Sequence, residues 1–170
     1  APVLPGLDLW DCWPLQNEDG TTTQIGGAQF WFFLSAPCFD DPVECHFHAR
    51  IRLLKRQGST WTDLGNAMPD GFSPGFAEWA GSCVLDADGV GVTLYFTPAG
   101  YRGQAPGFQQ RMFASRGTLD ASSGPGNWQE CTELFRPDGV LFQPADKAEG
   151  VPGTIKAFRD PAWFRDPADG

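Results

Sequence analysis

An aspartate between two tryptophans, in the stretch Trp10-Asp11-Cys12-Trp13-Pro14, is the part of this sequence best suited to chemistry. A carboxylate flanked by large apolar rings loses hydration, so its protonation and reactivity respond strongly to nearby charges. Indole rings also offer flat surfaces to the C–H faces of a sugar, and an aspartate can attack an electrophilic carbon. Asp11 is therefore a candidate nucleophile. The alternative is that Asp11 caps a strand end and that both indoles belong to the core.

The composition indicates one globular unit built from short strands. The chain has 170 residues, of which 41% are hydrophobic, so a sizeable core can form. The 21 Gly and 15 Pro residues disfavour a helical protein and favour strands joined by tight turns. The net charge of −9 repels nucleic acid and anionic lipid, and the longest mostly apolar stretch, residues 28–36, is too short to span a bilayer. We therefore expect neither nucleic acid nor a membrane as a partner.

The first residue and the cysteines bear on the compartment. Residue 1 is Ala rather than Met, which favours a processed, secreted or periplasmic chain. The five Cys residues have no zinc-motif spacing, so no structural metal is expected. Cys38 and Cys45 could close a small disulfide, and they could equally be reduced residues packed as small apolar groups.

Two stretches in the first third of the chain have the pattern of strands. The aromatic run 29–34 is too short for a helix and predicts a buried strand. Residues 46–53 alternate polar with apolar, which predicts a strand whose wet face carries His46 and His48. A solvated edge is the interpretation that we favour for these two histidines over a metal or catalytic role.

A repeat appears further along the chain. Residues 84–96 predict a hairpin with its turn at Asp88-Gly89, and residues 110–116 predict another strand. A Gly-rich turn leads into Trp at both 58–61 and 124–128, which indicates repeated four-stranded units. Such a pattern fits a sandwich, a barrel or a β-propeller, and the repeat favours the propeller.

Two further stretches share the combination of a charged side chain beside an aromatic ring: Glu78-Trp79-Ala80-Gly81-Ser82 and Phe158-Arg159-Asp160-Pro161. Together with the Asp11 stretch, and in this order, they resemble glycoside hydrolase family 68, the levansucrases, inulosucrases and bacterial β-fructofuranosidases. The resemblance extends through residues 13–17 and the hairpin after Gly81, so it covers nearly the whole chain.

The resemblance implies an all-β fold, namely part of a five-bladed β-propeller with a sugar pocket at its centre. Residues 1–170 would form the N-terminal portion, the first blades and the beginning of the third, of a single catalytic domain. The sequence stops at the turn 166–170 without a returning strand, which is also typical of an incomplete domain.

The resemblance also implies roles for individual residues. Asp11 would attack the anomeric carbon of the fructosyl unit of sucrose, and Asp160 would stabilise the transition state. Cleavage of an acetal passes through an oxocarbenium-like state that a carboxylate stabilises, and retaining enzymes add a covalent glycosyl-enzyme step. The implied substrate-binding residues are Trp10, Trp79, Ala80 and Arg159.

The chain departs from the family pattern at three places. Many members have Ser where this chain has Ala80, so a hydrogen bond to the nucleophile would be missing or replaced by water. Calcium-dependent members have an Asp where this chain has Thr154, which argues against that metal. No other cofactor is expected. The family's acid/base Glu occurs in an Asp-Glu-x-x-Arg context, and that context is absent around every glutamate of this chain: Glu18, Glu44, Glu78, Glu130, Glu133 and Glu149.

These observations predict an extracellular, retaining β-fructofuranosyl-transferring enzyme that releases glucose from sucrose and passes the fructosyl group to water or to a sugar or fructan acceptor. A second polypeptide would supply the remaining blades and the acid/base Glu. The alternative is a non-catalytic sugar-binding propeller, because a fold alone does not determine function.

Overall fold

The structure is a computed structural model that describes residues 4–142 and 157–168. Thr154, Glu149 and the last two residues of the predicted turn 166–170 lie outside the described residues. In chain order the elements are β1 (Leu7–Gln16), β2 (Ala28–Pro37), α1 (Glu44–His48), β3 (Arg50–Gln57), β4 (Thr60–Asn66), β5 (Ala77–Leu85), β6 (Gly91–Ala99), β7 (Met112–Asp120), β8 (Gly124–Gly126) and β9 (Thr132–Phe135).

The strands form two antiparallel units of four consecutive strands each. The first unit has the order β4-β3-β2-β1 and the second has the order β5-β6-β7-β8, while β9 also pairs with β7. The first strands of the two units, β1 and β5, are neighbours and run parallel, with Leu15 opposite Cys83. The Gly-rich stretch at 58–61 lies at the step from β3 to β4, whereas the one at 124–128 forms β8, the fourth strand of the second unit, and the two residues after it. The all-β prediction and the repeated four-stranded units are confirmed.

The hydrophobic core lies between the two units. Phe30 and Phe32 on β2 are fully buried, whereas Trp31 and Phe33 on the opposite face are partly exposed. The strand predicted at 29–34 is therefore confirmed, although only one of its faces points into the core. At Gly124 in β8 an added Cβ would lie 2.6 Å from a ring carbon of Phe30, so the two units approach too closely there for any side chain.

The predicted strand over residues 46–53 is wrong in its first half. His46 and His48 lie in the short helix α1, and the strand β3 begins only at Arg50. The helix forms because Asp41 turns the chain just before it: the Asp41 Oδ1 atom accepts a hydrogen bond from the Val43 amide at 2.9 Å. The two buried residues here, Cys45 and Ala49, are four positions apart, which is the spacing of one helical face and not of a strand face.

The predicted hairpin at 84–96 is confirmed as the junction of β5 and β6. Its turn is stabilised by Asp88, whose Oδ1 atom accepts hydrogen bonds of 2.8 Å from the amides of Val90 and Gly91. Gly89 has φ 72°, a left-handed conformation that favours glycine. The strand expected at 110–116 is present as β7, which begins two residues later.

All five cysteines are free thiols in this structure. The Sγ atoms of Cys38 and Cys45 contact different oxygens of the Asp8 carboxylate, at 3.5 and 3.7 Å. Cys38 and Cys45 are therefore reduced in the structure, and Cys45 is buried whereas Cys38 is exposed. Within residues 4–142 and 157–168, no helix is long and apolar enough to cross a membrane.

Candidate active site

A cavity of about 200 Å³ lies beside the first strands of the two units. Residues 157–168, here called the Arg-Asp-Pro segment, close one side of it. The lining residues are Trp10, Asp11, Leu34, His46, Trp79, Arg159 and Asp160. Five of the six site residues predicted from the sequence are thus brought together from three separate parts of the chain.

Asp11 occupies an irregular position in β1. The pairing of β1 with β2 shifts between Trp10 and Cys12, so Asp11 is the extra residue of a β-bulge. Its φ of 31° lies in the left-handed region, which Asp adopts more readily than most side chains do. A bulge turns a side chain away from the regular alternation of a strand, and here it accompanies an exposed carboxylate at the cavity.

Asp160 supplies the second carboxylate of the cavity. Its φ is 61°, so both aspartates adopt a conformation that persists only where surrounding structure enforces it. Its Oδ2 atom lies 3.3 Å from the Nε atom of Arg159. Partial burial raises the pKa of Asp160, Arg159 opposes that rise, and the negative charge of Asp11 adds to it. The two carboxylates are therefore close enough to influence each other.

Two indoles and one histidine form the aromatic wall of the cavity. Trp79 is 5% exposed, and its Nε1 atom donates a 3.0 Å hydrogen bond to the His46 carbonyl. The His46 ring lies 6.1 Å from the Trp10 ring and 6.4 Å from the Trp79 ring. The guanidinium carbon of Arg159 lies 5.4 Å from the Trp79 ring centroid, within cation–π range. The aromatic faces and the charged groups thus share one small volume.

Sequence reasoning missed His46 as a residue of the cavity. The sequence pattern predicts a solvated strand face for His46, whereas α1 brings it between Trp10 and Trp79. The available signal was the Asp41-Pro42 pair, which marks a turn before the histidine and so weakens the strand interpretation.

The structure places Ala80 and Trp13 in the core. Ala80 is the extra residue of a bulge in β5, is 7% exposed and is not among the residues that line the cavity. Its role in substrate binding stays a prediction. Trp13 is 8% exposed and stacks on Phe32, so the alternative that both indoles are core residues holds for Trp13 and not for Trp10.

No glutamate is found among the described residues that line the cavity. Glu78, beside Trp79 in sequence, is 3% exposed, and its Oε2 atom accepts a 3.0 Å hydrogen bond from the Ile51 amide. Glu78 therefore joins the two units and does not face the cavity. Among residues 4–142 and 157–168, no group of three or more His, Cys, Asp or Glu residues is arranged to hold a metal ion.

Glu78 should make the stability of the fold depend on pH. Burial raises the pKa of Glu78 from 4.5 to about 7. The folded protein then binds more protons than the unfolded chain between these two values, so the free energy of unfolding falls as pH rises through this window. We expect Glu78 to account for a loss of about 3 kcal/mol between pH 4 and pH 8.

Urea unfolding of the purified active protein at both pH values measures this loss. Glu78→Gln keeps an oxygen acceptor for the Ile51 amide and cannot ionise, so it should reduce the pH dependence by most of that amount. Glu130→Gln, at an exposed position, is the matched control and should leave the pH dependence as it is. An unchanged pH dependence in Glu78→Gln would contradict the assignment.

The fold and the cavity together define the class of this chain. Two four-stranded antiparallel units whose first strands lie side by side are adjacent blades of a β-propeller, and paired aspartates with an arginine and indole faces are typical of glycoside hydrolases. The family profile described as Levansucrase/Invertase matches residues 2–170, and the chain belongs to this family.

Individual relatives agree with this assignment. The chain is 30% identical to the levansucrase of Erwinia amylovora over 95% of its length, and 29% identical to the extracellular sucrase of Zymomonas mobilis subsp. mobilis over 96%. The structure of an inulosucrase from Halalkalicoccus jeotgali bound to kestose superimposes with a TM-score of 0.85 over 99% of this chain, at 32% identity. The chain spans 41%, 40% and 42% of these three proteins. The recognition of the family from its motifs is confirmed, as is the assignment to part of a β-propeller.

Proposed function

We propose that this chain contributes the nucleophile side of an active site that transfers β-fructofuranosyl groups from sucrose. The observation that carries the proposal is the meeting of Asp11 and Asp160 in one cavity with Arg159 and two indoles. The names of the relatives, levansucrase, sucrase and inulosucrase, support sucrose as the donor. In this proposal residues 1–170 provide the first blades and the beginning of the third.

The geometry suits a two-step retaining reaction. Asp11 attacks the anomeric carbon of the fructosyl unit while the bond to the glucosyl oxygen breaks, and a proton from a general acid completes glucose. Asp160 carries negative charge beside the oxocarbenium-like transition state, and Arg159 donates hydrogen bonds to sugar oxygens. Water or a sugar acceptor then attacks the fructosyl–Asp11 ester and regenerates the carboxylate. Trp10 and Trp79 offer flat faces against which the fructosyl ring can pack.

Release of glucose from sucrose by the purified active protein tests this function. A glucose signal, together with its loss in an Asp11 variant, supports catalysis. Sucrose binding without glucose release would instead favour the non-catalytic sugar-binding propeller. Chromatography of the sugar products then shows whether water or a sugar is the acceptor.

The general acid and the remaining blades are proposed to come from a second polypeptide. Support comes from the absence of a glutamate among the described residues of the cavity and from the 40–42% coverage of the relatives. Apolar side chains are also left uncovered in the described parts of the chain. Those most exposed are Val140 at 86%, Leu141 at 82%, Phe164 at 73% and Phe135 at 64%.

The outer face of the first unit also supports the proposal that further blades pack against this chain. Trp31 and Phe33 pack against Trp61, with ring centroids 6.1 and 5.8 Å apart, on the face of β2 opposite the core. In a closed propeller each blade face packs against a neighbouring blade, and this aromatic face is suited to such packing. Covering apolar surface of this kind contributes roughly 25 cal/mol per Å².

Denaturing electrophoresis of active, size-purified enzyme tests the second polypeptide. We expect a band near 18.5 kDa accompanied by a second, larger band in equal amount. A single band near 18.5 kDa with full activity would show that the chain works without the missing blades. A single larger band containing this sequence would show that the acid and the remaining blades belong to the same polypeptide.

An extracellular or periplasmic location is part of the proposal. It is supported by the name of the Zymomonas mobilis relative, an extracellular sucrase. Fractionation of producing cells into medium, periplasm and cytoplasm, with glucose release from sucrose as the assay, identifies the compartment.

A further inference from the structure

Three buried polar side chains of the second unit contact the Arg-Asp-Pro segment. Thr97 on β6 is 0% exposed, Gln110 just before β7 is 2% exposed and Ser82 on β5 is 5% exposed. A buried polar group is costly unless it is hydrogen-bonded, and each of these three finds a partner in the main chain of the segment. The site residues predicted from the sequence include none of the three.

The hydrogen bonds lie on both sides of the second carboxylate. The segment forms no strand, so its amides have no ladder partner in the described part of the chain, and side chains satisfy several of them. The amide of Phe158 donates a hydrogen bond to Gln110 Oε1 at 2.8 Å, and the amide of Asp160 donates one to Thr97 Oγ1 at 2.9 Å. Ser82 makes the two bonds that follow along the segment. Its Oγ atom donates to the Pro161 carbonyl at 2.9 Å and accepts from the Trp163 amide at 3.0 Å.

The position of the Asp160 carboxylate depends on how the main chain of the Arg-Asp-Pro segment is held. The side chain is 48% exposed, and its ion pair at 3.3 Å is with Arg159, the preceding residue of the same segment. A contact within one segment cannot fix that segment relative to Asp11 on β1. The left-handed φ of 61° at Asp160 also needs enforcement from outside the residue. The hydrogen bond from the Asp160 amide to Thr97 Oγ1 supplies this external constraint on the backbone of Asp160.

We propose that Thr97, Ser82 and Gln110 are positioning residues that hold the Arg-Asp-Pro segment and thereby set the Asp160 carboxylate opposite Asp11. The inference rests on the proposed function, in which Asp160 stabilises the transition state. Thr97 acts at the carboxylate itself, while Gln110 and Ser82 hold the chain before and after it. A displacement of about 1 Å at such a group can lower a rate by about 10²-fold.

Two substitutions at Thr97 separate the hydroxyl from the shape of the side chain. Thr97→Val keeps the volume and removes the hydrogen bond to the Asp160 amide, whereas Thr97→Ser keeps the hydroxyl. In the complete enzyme we expect Thr97→Val to lower kcat on sucrose by about 10²-fold with KM changed by less than about threefold, because the loss concerns the transition state. Thr97→Ser should restore most of the rate. Thr93→Val, the same change at a partly exposed position of β6, is the matched control and should leave kcat as it is.

Hydrogen exchange of the peptide that spans residues 157–163 gives a readout that needs no activity. The Asp160 amide should exchange slowly in the wild type and in Thr97→Ser, and at least about tenfold faster in Thr97→Val. If Thr97→Val does not fold, Ser82→Ala replaces it, with the same expected loss of kcat and faster exchange at Trp163.

The outcomes separate this inference from the proposed function. A wild type that releases no glucose from sucrose refutes the proposed function, and the exchange measurement still decides whether Thr97 holds the segment. A wild type that is active, with Thr97→Val or Ser82→Ala equally active, overturns the positioning role. Equal losses in Thr97→Val and Thr97→Ser also overturn it, because they would show that packing of the methyl group matters rather than the hydrogen bond.

Discussion

Asp11→Asn should lower kcat on sucrose by about 10⁴-fold or more while sucrose binding and the thermal unfolding midpoint stay close to those of the wild type. The amide has the size of the carboxylate but cannot form the fructosyl ester. Asn also tolerates the left-handed φ of 31° at this position, so the bulge of β1 should persist. Steady-state glucose release and calorimetric titration with sucrose measure the two quantities.

Asp8→Asn is the matched control for the nucleophile. Asp8 lies on the same strand, is exposed and does not line the cavity, so its neutralisation should leave kcat almost unchanged. An Asp11→Asn variant that retained a tenth of the wild-type rate would refute the nucleophile assignment. Trapping of a fructosyl group on a peptide that contains Asp11, followed by mass spectrometry, would identify the ester directly.

Asp160→Asn should lower kcat by about 10³-fold with a smaller change in ground-state binding, because the lost negative charge acts mainly on the transition state. Asn is a better test of the charge than Ala. The φ of 61° would strain Ala, so an Ala variant would combine a loss of charge with a change of backbone conformation. Kinetics on sucrose, with kcat and KM measured separately, test this expectation.

Asp166→Asn provides the control on the same segment. Asp166 is exposed, outside the cavity, and its Oδ1 atom accepts a hydrogen bond of 2.8 Å from the Ala168 amide. Its substitution should not affect kcat. If Asp160→Asn raised KM and left kcat unchanged, Asp160 would be a substrate-binding residue with no part in stabilising the transition state.

Local sequence was sufficient for elements whose structure depends on neighbouring residues. Asp88-Gly89 determined a turn through its own hydrogen bonds and its positive φ, and the aromatic run at 29–34 determined a strand. The three motifs, in order, were sufficient for the family, and they predicted Asp11, Arg159 and Asp160, which line one cavity in the structure. In each case the information lies in short runs of consecutive residues and, for the family, in the order of those runs.

Only the tertiary structure decided how these residues are placed. His46 enters the cavity because α1 packs beside β5, where Trp79 Nε1 donates a hydrogen bond to the His46 carbonyl, 33 residues earlier in the chain. Ala80, adjacent in sequence to a cavity residue, is turned into the core by a bulge whose presence depends on pairing with β6. Asp160 is held by Thr97, which lies 63 residues earlier in the chain. Such contacts are created by strand pairing within a unit and by the packing of distant segments on it, and no local pattern of residue types encodes them.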